Sequence, residues 1–351
     1  MNNFNFKTSL LTLAILLPTS AAYAETSKES LKKQLTEIQT RLAQLEESKK
    51  PAADTSETSI NFYGSLRPTF GVTSSDTEDS WDVGDALSRI GIAAEHKLSN
   101  GMTGFAKGEF KVQIQGDAHF GDARKAYVGI KGNFGSIAIG KQDTTQFAII
   151  AGPVDIFNRS ASPLAYDDVS PFRQQEMVSY RKSFGNLDFR IEGQFKGESD
   201  LEGSDLVNGG VKYTGESFTL AAAYLTKDLT GTDENTVGFS ASKSFGNWYV
   251  AAAYQDVDRG GNSQDINTID LVGAYRINDS YKLKAGYSLF SDDLMPTDSN
   301  EVTRFNTTLE WQGSPDYRLF VEFQNNNFED DNAKDNNQLI VGMRYNFDYN
   351  F

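Results

Sequence analysis

The chain has 351 residues, a formal net charge of −15, 38% hydrophobic residues, no cysteine and two histidines. Such a charge argues against a nucleic-acid partner, which needs basic surface to displace counterions. With 24 Phe, 15 Tyr and 30 Gly, the composition suits short strands and tight turns better than helices.

In chain order, the N-terminus reads as a removable address. Lys7 supplies a positive start, Ser9 to Leu17 (SLLTLAILL) is an apolar run too short to span a bilayer, and Ala22 to Ala24 (AYA) is a small-x-small cleavage site. Residues 1–24 are therefore expected to be a signal peptide, cleaved on export. Next, Leu31, Leu35, Ile38, Leu42 and Leu45 recur at spacings of four, three, four and three, a heptad seam among charged residues. Residues 25–58 are expected to form a short α-helical, periplasmic coiled coil and a polar linker, stopped as a helix by Pro51. A single solvated helix is the alternative.

From Ile60 onward the period becomes two. Ile60, Phe62, Leu66, Phe70 and Val72 lie on one face, and Asn61, Tyr63, Ser65, Arg67 and Thr69 on the other. The alternation returns in Met102 to Ile114, Tyr281 to Leu289 and Arg304 to Trp311. Short turns such as SNG (Ser99 to Gly101), GNF (Gly132 to Phe134) and SFGN (Ser183 to Asn186) alternate with longer acidic stretches such as TSSDTEDSWDVGDA and NNNFEDDNAKDNN. Counting between connectors gives sixteen strands, seven short turns and eight long loops. An even strand number with connectors sorted by length predicts an all-β, antiparallel transmembrane barrel over residues 59–351. The polar face is dense in charge, as a water-filled lumen allows. Tyr180, Tyr213, Trp248, Tyr275, Tyr281, Trp311, Tyr317 and Tyr345 cluster by the short turns, where an interfacial girdle belongs.

The region resembles the trimeric, sixteen-stranded general porins of Gram-negative outer membranes. YGSLRPTFG resembles their first strand, RKAYVGIKGNFGSIAIGK (Arg124 to Lys141) their fourth and fifth, and Phe351 their terminal residue. The heptad segment departs from that pattern, although some substrate-selective porins carry one. The longest connector, residues 143–172, follows the fifth strand as does the porin loop that folds inward and narrows the channel. The resemblance makes Asp155, Asp167 and Asp168 candidates for the acidic side of the constriction. Arg89, Arg124 and Arg173 match the porins' basic cluster by local pattern. The family's first-strand lysine has no counterpart, since Ser65 stands there, with Arg67 two residues on. Parity places Arg89 on the polar face and leaves Arg124 ambiguous.

The function so implied is passive diffusion of small hydrophilic solutes and ions across the outer membrane, with a mild cation preference from the acidic loops. The alternatives are a channel selective for a sugar, phosphate or dicarboxylate, or an envelope-anchoring barrel. Neither His96 nor His119 has an evident serine and acid partnership, so no enzyme and no cofactor are expected. Expected partners are outer-membrane lipid, two further copies in a homotrimer, the barrel-assembly machinery reading Phe347, Tyr349 or Phe351, and the cell wall through residues 25–58.

Overall fold

The computed structural model describes residues 57–351 apart from 76–77, 117–118, 159–162, 198–204, 230–231, 261–264, 293–299 and 330–333, together with Lys33, Thr36, Glu37 and residues 39–41. The signal segment 1–24 and the heptad residues Leu31, Leu35, Ile38, Leu42 and Leu45 lie outside the described residues. Near them, Arg41 Nη2 lies 3.1 Å from Glu37 Oε1, an i,i+4 pair of the kind that supports an exposed helix.

One compact unit runs from Ser56 to Phe351. Its first strand, β1, is Thr58–Leu66 continued by Pro68–Ser75, and β2 is Asp79–Asp85 continued by Arg89–Lys97. There follow β3 (Thr103–Val112), β4 (Phe120–Gly132), β5 (Gly135–Asp143), β6 (Arg173–Phe184), β7 (Leu187–Gln194) and β8 (Leu206–Thr214). The second half holds β9 (Phe218–Leu229), β10 (Thr232–Phe245), β11 (Trp248–Asp258), β12 (Ile266–Arg276), β13 (Tyr281–Asp292), β14 (Asn300–Gln312), β15 (Tyr317–Phe328) and β16 (Asn336–Asn350). Two short helices, α1 (Gln146–Ala151) and α2 (Tyr166–Val169), lie between β5 and β6.

Each strand pairs antiparallel with its sequence neighbours, and β16 pairs back onto β1 from Asn61 opposite Asn350 to Leu66 opposite Tyr345. The terminal residue completes the seam: Phe351 N–H donates to the Ile60 carbonyl at 2.8 Å, and Ile60 N–H to the Phe351 carbonyl at 3.2 Å. A closed sheet leaves no unpaired edge, which is what hydrocarbon demands of a β-structure.

The two faces are inverted relative to a water-soluble protein. Ile92, Val128, Leu220, Leu271, Leu283, Leu309 and Val341 are exposed, while Glu192, Asp270, Lys284, Arg304 and Glu322 are buried. So much apolar surface is untenable in water and suits lipid. The girdle follows from register: Trp248 stands opposite Tyr275, Tyr281 opposite Trp311, and Tyr317 opposite Tyr345, beside short connectors.

The long connectors are shorter than the sequence implies. Pairing runs to Ser75 and restarts at Asp79, so Asp79, Asp82 and Asp85 belong to β2 and not to a loop. Likewise β9 and β10 are separated by residues 230–231 alone. Continued pairing satisfies each added backbone group, even where a charged side chain breaks the apolar stripe.

Candidate functional site

Residues 144–172 join β5 to β6, and Thr144 N–H donates to the Phe172 carbonyl at 3.1 Å, closing the base of the segment. Ile149, Ile150, Val154, Phe157, Leu164 and Tyr166 are buried in one cluster with Ala221, Ala223, Ala251, Ala253 and Val272. The strands meet the segment with small residues because it lies close against them. A Cβ on Gly286 would stand 2.7 Å from Phe157 Cζ, and one on Gly238 would collide with the Gln146 amide.

Polar side chains peg the segment along its length. Gln146 donates its N–H to Asn208 Oδ1 at 2.6 Å and its Nε2 to Gln255 Oε1 at 2.9 Å. Thr145 donates N–H and Oγ1–H to the Glu192 carboxylate. The Asp270 carboxylate accepts the Ala165 and Tyr166 N–H groups at 2.9 and 3.0 Å, where a short helix has unpaired donors. Lys284 Nζ donates to the Ile156 carbonyl at 2.8 Å, and Arg304 Nη1 lies 2.5 Å from Asp168 Oδ2. Strands from β7 to β14 thus share in holding it.

The predicted basic residues fall into two groups. Arg124 and Arg173 are neutralised: Arg124 Nε pairs with Glu109 Oε1 at 2.8 Å, and Arg173 Nε lies 3.1 Å from Asp143 Oδ1. Glu109 also accepts the Tyr63 hydroxyl at 3.0 Å, and Asp143 also pairs with Lys125. The ambiguity over Arg124 has a structural resolution. Glu109 pairs with Lys125 and Phe110 with Ala123, leaving Arg124 as the extra residue of a β-bulge. A bulge re-aims one side chain against strict alternation, so Arg124 reaches the buried Glu109 carboxylate and Lys125 the half-buried Asp143 carboxylate.

Arg67 and Arg89 form a second group with Arg344. Their strands break here: Pro68 has no N–H for the ladder, and Leu87 has φ of 70°, so Arg67 N–H donates to Ser88 Oγ at 2.7 Å instead. Arg67 Nε donates to Ser65 Oγ at 2.8 Å, Ser65 Oγ lies 2.8 Å from Asn346 Oδ1, and Arg344 Nε donates to the same oxygen at 3.1 Å. Arg89 stands directly opposite Ser65 in the β1–β2 register. Ser65, standing where the resembling family has lysine, is the hub of this cluster.

The three candidate acids separate. Asp155 is within electrostatic reach of Arg67, Arg89 and Arg344. Asp168 is committed to Arg304, and Asp167 acts on Asp270 in the first turn of α2. Sequence reasoning missed Arg344, Glu109 and Asp143 as members of the site. Each has the polar parity, but their proximity depends on register between strands far apart in the chain. Among the described residues, no group of His, Asp or Glu is placed to hold a metal ion.

The family model for Gram-negative porins matches residues 11–347. The monosaccharide porin of Halomonas sp is 29% identical over 256 residues, covering 64% of this chain and 68% of that protein. Among solved structures, the anion-selective porin from Comamonas acidovorans superposes with a TM-score of 0.73 at 18% identity, over 83% of this chain and 100% of that one. OmpT of Vibrio cholerae, in its trimer form, gives 0.67 at 19% identity over 83% and 99%. A closed barrel with lipid-suited exterior, a charged interior and this match leave one assignment: the chain belongs to the Gram-negative porin family and is an outer-membrane channel for passive diffusion.

Proposed function

We propose that residues 144–172 fold into the lumen and form the constriction of the channel, with Asp155 on the segment facing Arg67, Arg89 and Arg344 on the wall. The observation that carries this reading is the pegging of the segment to side chains of polar parity, from Glu192 on β7 to Arg304 on β14. Opposite charges held across a narrow passage produce a transverse field, which orders water and hinders apolar solutes. Selectivity then rests on pore width and charged side chains, with no bond chemistry. Arg124 and Arg173, each in an ion pair, shape this wall, while Asp167 and Asp168 hold the segment through α2.

The functional unit in this proposal is a homotrimer, in keeping with the trimer form of the OmpT structure that shares the fold. Residues 1–24 serve as the export signal and residues 25–58 as a periplasmic helix that trimerises or touches the cell wall. Phe347, Tyr349 and Phe351 serve as the signal to the assembly machinery. Recordings in planar bilayers test the channel: three equal conductance steps, insensitive to small solutes, are expected. A second reading, a sugar channel, draws on the Halomonas relative's name and on the linked carboxamides of Gln324, Asn326 and Asn336. Block of the current by millimolar glucose would replace the general pore with that reading.

A further inference from the structure

The sequence KSFGN occurs twice, at residues 182–186 and 243–247, each time running from the end of a strand into a short connector. Both lysines lie on the lipid-facing parity, Lys182 beyond Val178 and Tyr180 on β6, Lys243 beyond Phe239 and Ala241 on β10. Their surroundings differ. Lys182 Nζ donates to the Asn133 carbonyl and lies 5.4 Å from the centre of the Phe184 ring. Lys243 is exposed and, among the described residues, has no ion pair and no side-chain hydrogen bond. Trp248 is its diagonal neighbour, two residues from the Val250 that stands opposite Lys243. The Trp248 and Tyr275 rings, with centroids 4.5 Å apart, mark the depth at which lipid head groups lie.

Beyond Lys243 the outer wall is furrowed. Leu220, Ala241, Ala252 and Leu271 stand opposite one another in register, a row across β9 to β12. On one side of the row lies a furrow of about 680 Å³, walled by Phe218, Val250, Tyr287 and Phe305, with Lys243 in its lining. On the other lies a second, also about 680 Å³, walled by Val211, Tyr213, Phe239, Tyr254 and Ile269. The row is their common floor. Charge on this sector is sorted by depth: the outward-parity carboxylates of β9 to β11, Asp228, Asp233, Asp256 and Asp258, stand at the loop ends, and Lys243 at the turn end.

From this we infer that Lys243 and the paired furrows form a binding site for an anionic glycerophospholipid of the periplasmic leaflet. Short connectors of outer-membrane barrels lie on the periplasmic side, which fixes the leaflet. The ammonium meets the phosphate, and the two furrows receive the two tails, gaining close van der Waals contact where a smooth wall would offer less. The loop-end carboxylates repel the phosphates of the opposite leaflet. A second copy of the chain is a poorer occupant. Among the described residues, no strand presents a carboxylate on the lipid-facing parity at the turn end, so Lys243 would meet no opposite charge there. The site lies outside the barrel and is independent of the reading of residues 144–172.

The test is native mass spectrometry of the full-length channel in mild detergent, titrated with dioleoyl phosphatidylglycerol, dioleoyl phosphatidylethanolamine or lipid A. Wild type should retain phosphatidylglycerol about fivefold more strongly than phosphatidylethanolamine, the preference one basic residue confers at an anionic membrane surface. Lys243→Gln should remove most of that preference with conductance unchanged. Lys182→Gln should keep the preference, because that ammonium already has a carbonyl partner. Ala252→Phe fills the common floor and should weaken retention of both phospholipids. Equal retention of the two phospholipids by wild type, or an undiminished preference in Lys243→Gln, overturns the site. Stronger retention of lipid A than of phosphatidylglycerol moves the head group to the loop leaflet and overturns it as well. The chain has no cysteine, so Ala252→Cys reports on this surface alone. Maleimide crosslinking of two Ala252→Cys copies in membranes would give the furrows to a second copy and sink the lipid site.

Discussion

Arg124 and Glu109 show how one residue's backbone geometry sets its side chain's partner. The bulge at Arg124 breaks the alternation of β4 and delivers the guanidinium to a carboxylate on β3 that Tyr63 also holds. Glu109→Gln removes the charge but keeps the shape, leaving a guanidinium at low exposure without its partner. Breaking a fully buried pair costs about 3–5 kcal/mol, and lumen water should reduce this to about 2 kcal/mol. The loss should be measurable as a lower urea midpoint in detergent, and a midpoint equal to wild type would mean the pair is solvated. Glu57, outside the strands, pairs with Lys97, and that hydrogen bond holds its carboxyl below the usual carboxylate range. Both groups are well exposed, so Glu57→Gln should leave stability unchanged within error.

At the scale of elements, the 144–172 segment depends on what the wall lacks. Gly286 and Gly238 leave the space that Phe157 and Gln146 occupy. Gly286→Val should therefore lift the segment at Phe157, at an overpacking cost of about 1–3 kcal/mol. Single-channel conductance should rise while the β16–β1 seam stays intact. A conductance equal to wild type would separate the segment from the constriction. The closing strand makes a different demand. Phe347 packs on Phe62 with ring centroids 5.5 Å apart, whereas Phe351 is exposed and contributes backbone bonds to Ile60. Deleting Phe351 should slow insertion in cells more than refolding in detergent. Equal effects in both would assign it a purely structural role.

For the whole molecule, the inverted faces are the most general claim, and a paired substitution tests them. Leu283→Arg places a cation on the lipid face, at a cost of about 2–4 kcal/mol near the bilayer midplane. Gln338→Arg places the same group on the opposite parity of β16 and should fold in vesicles with near wild-type yield. Asn306 is unsuitable as that control, because it is fully buried beside Gly286, where Phe157 packs. Removing residues 25–58 separates pore from anchor: unchanged conductance with weaker trimer or envelope attachment is expected. A changed conductance would place the segment in the permeation path.

The period of two, the even strand count and the sorted connectors were enough to specify a barrel and its lipid face, because side-chain alternation is a local property of an extended chain. The same logic marked Arg89 and Arg67 as polar-face residues, while length and place after the fifth strand set residues 143–172 apart. Local pattern stopped short at Arg124, since a bulge depends on the partner strand. It also stopped short at the first hairpin, where cross-strand pairing continues through an acidic sequence. Above all, it could not decide which charges cancel. The first hairpin sets Arg89 against Ser65, but Arg344 reaches them only by closing the first strand onto the last, a contact between residues far apart in the chain. Electrostatic energy depends on distance in space, and only the closed barrel sets those distances.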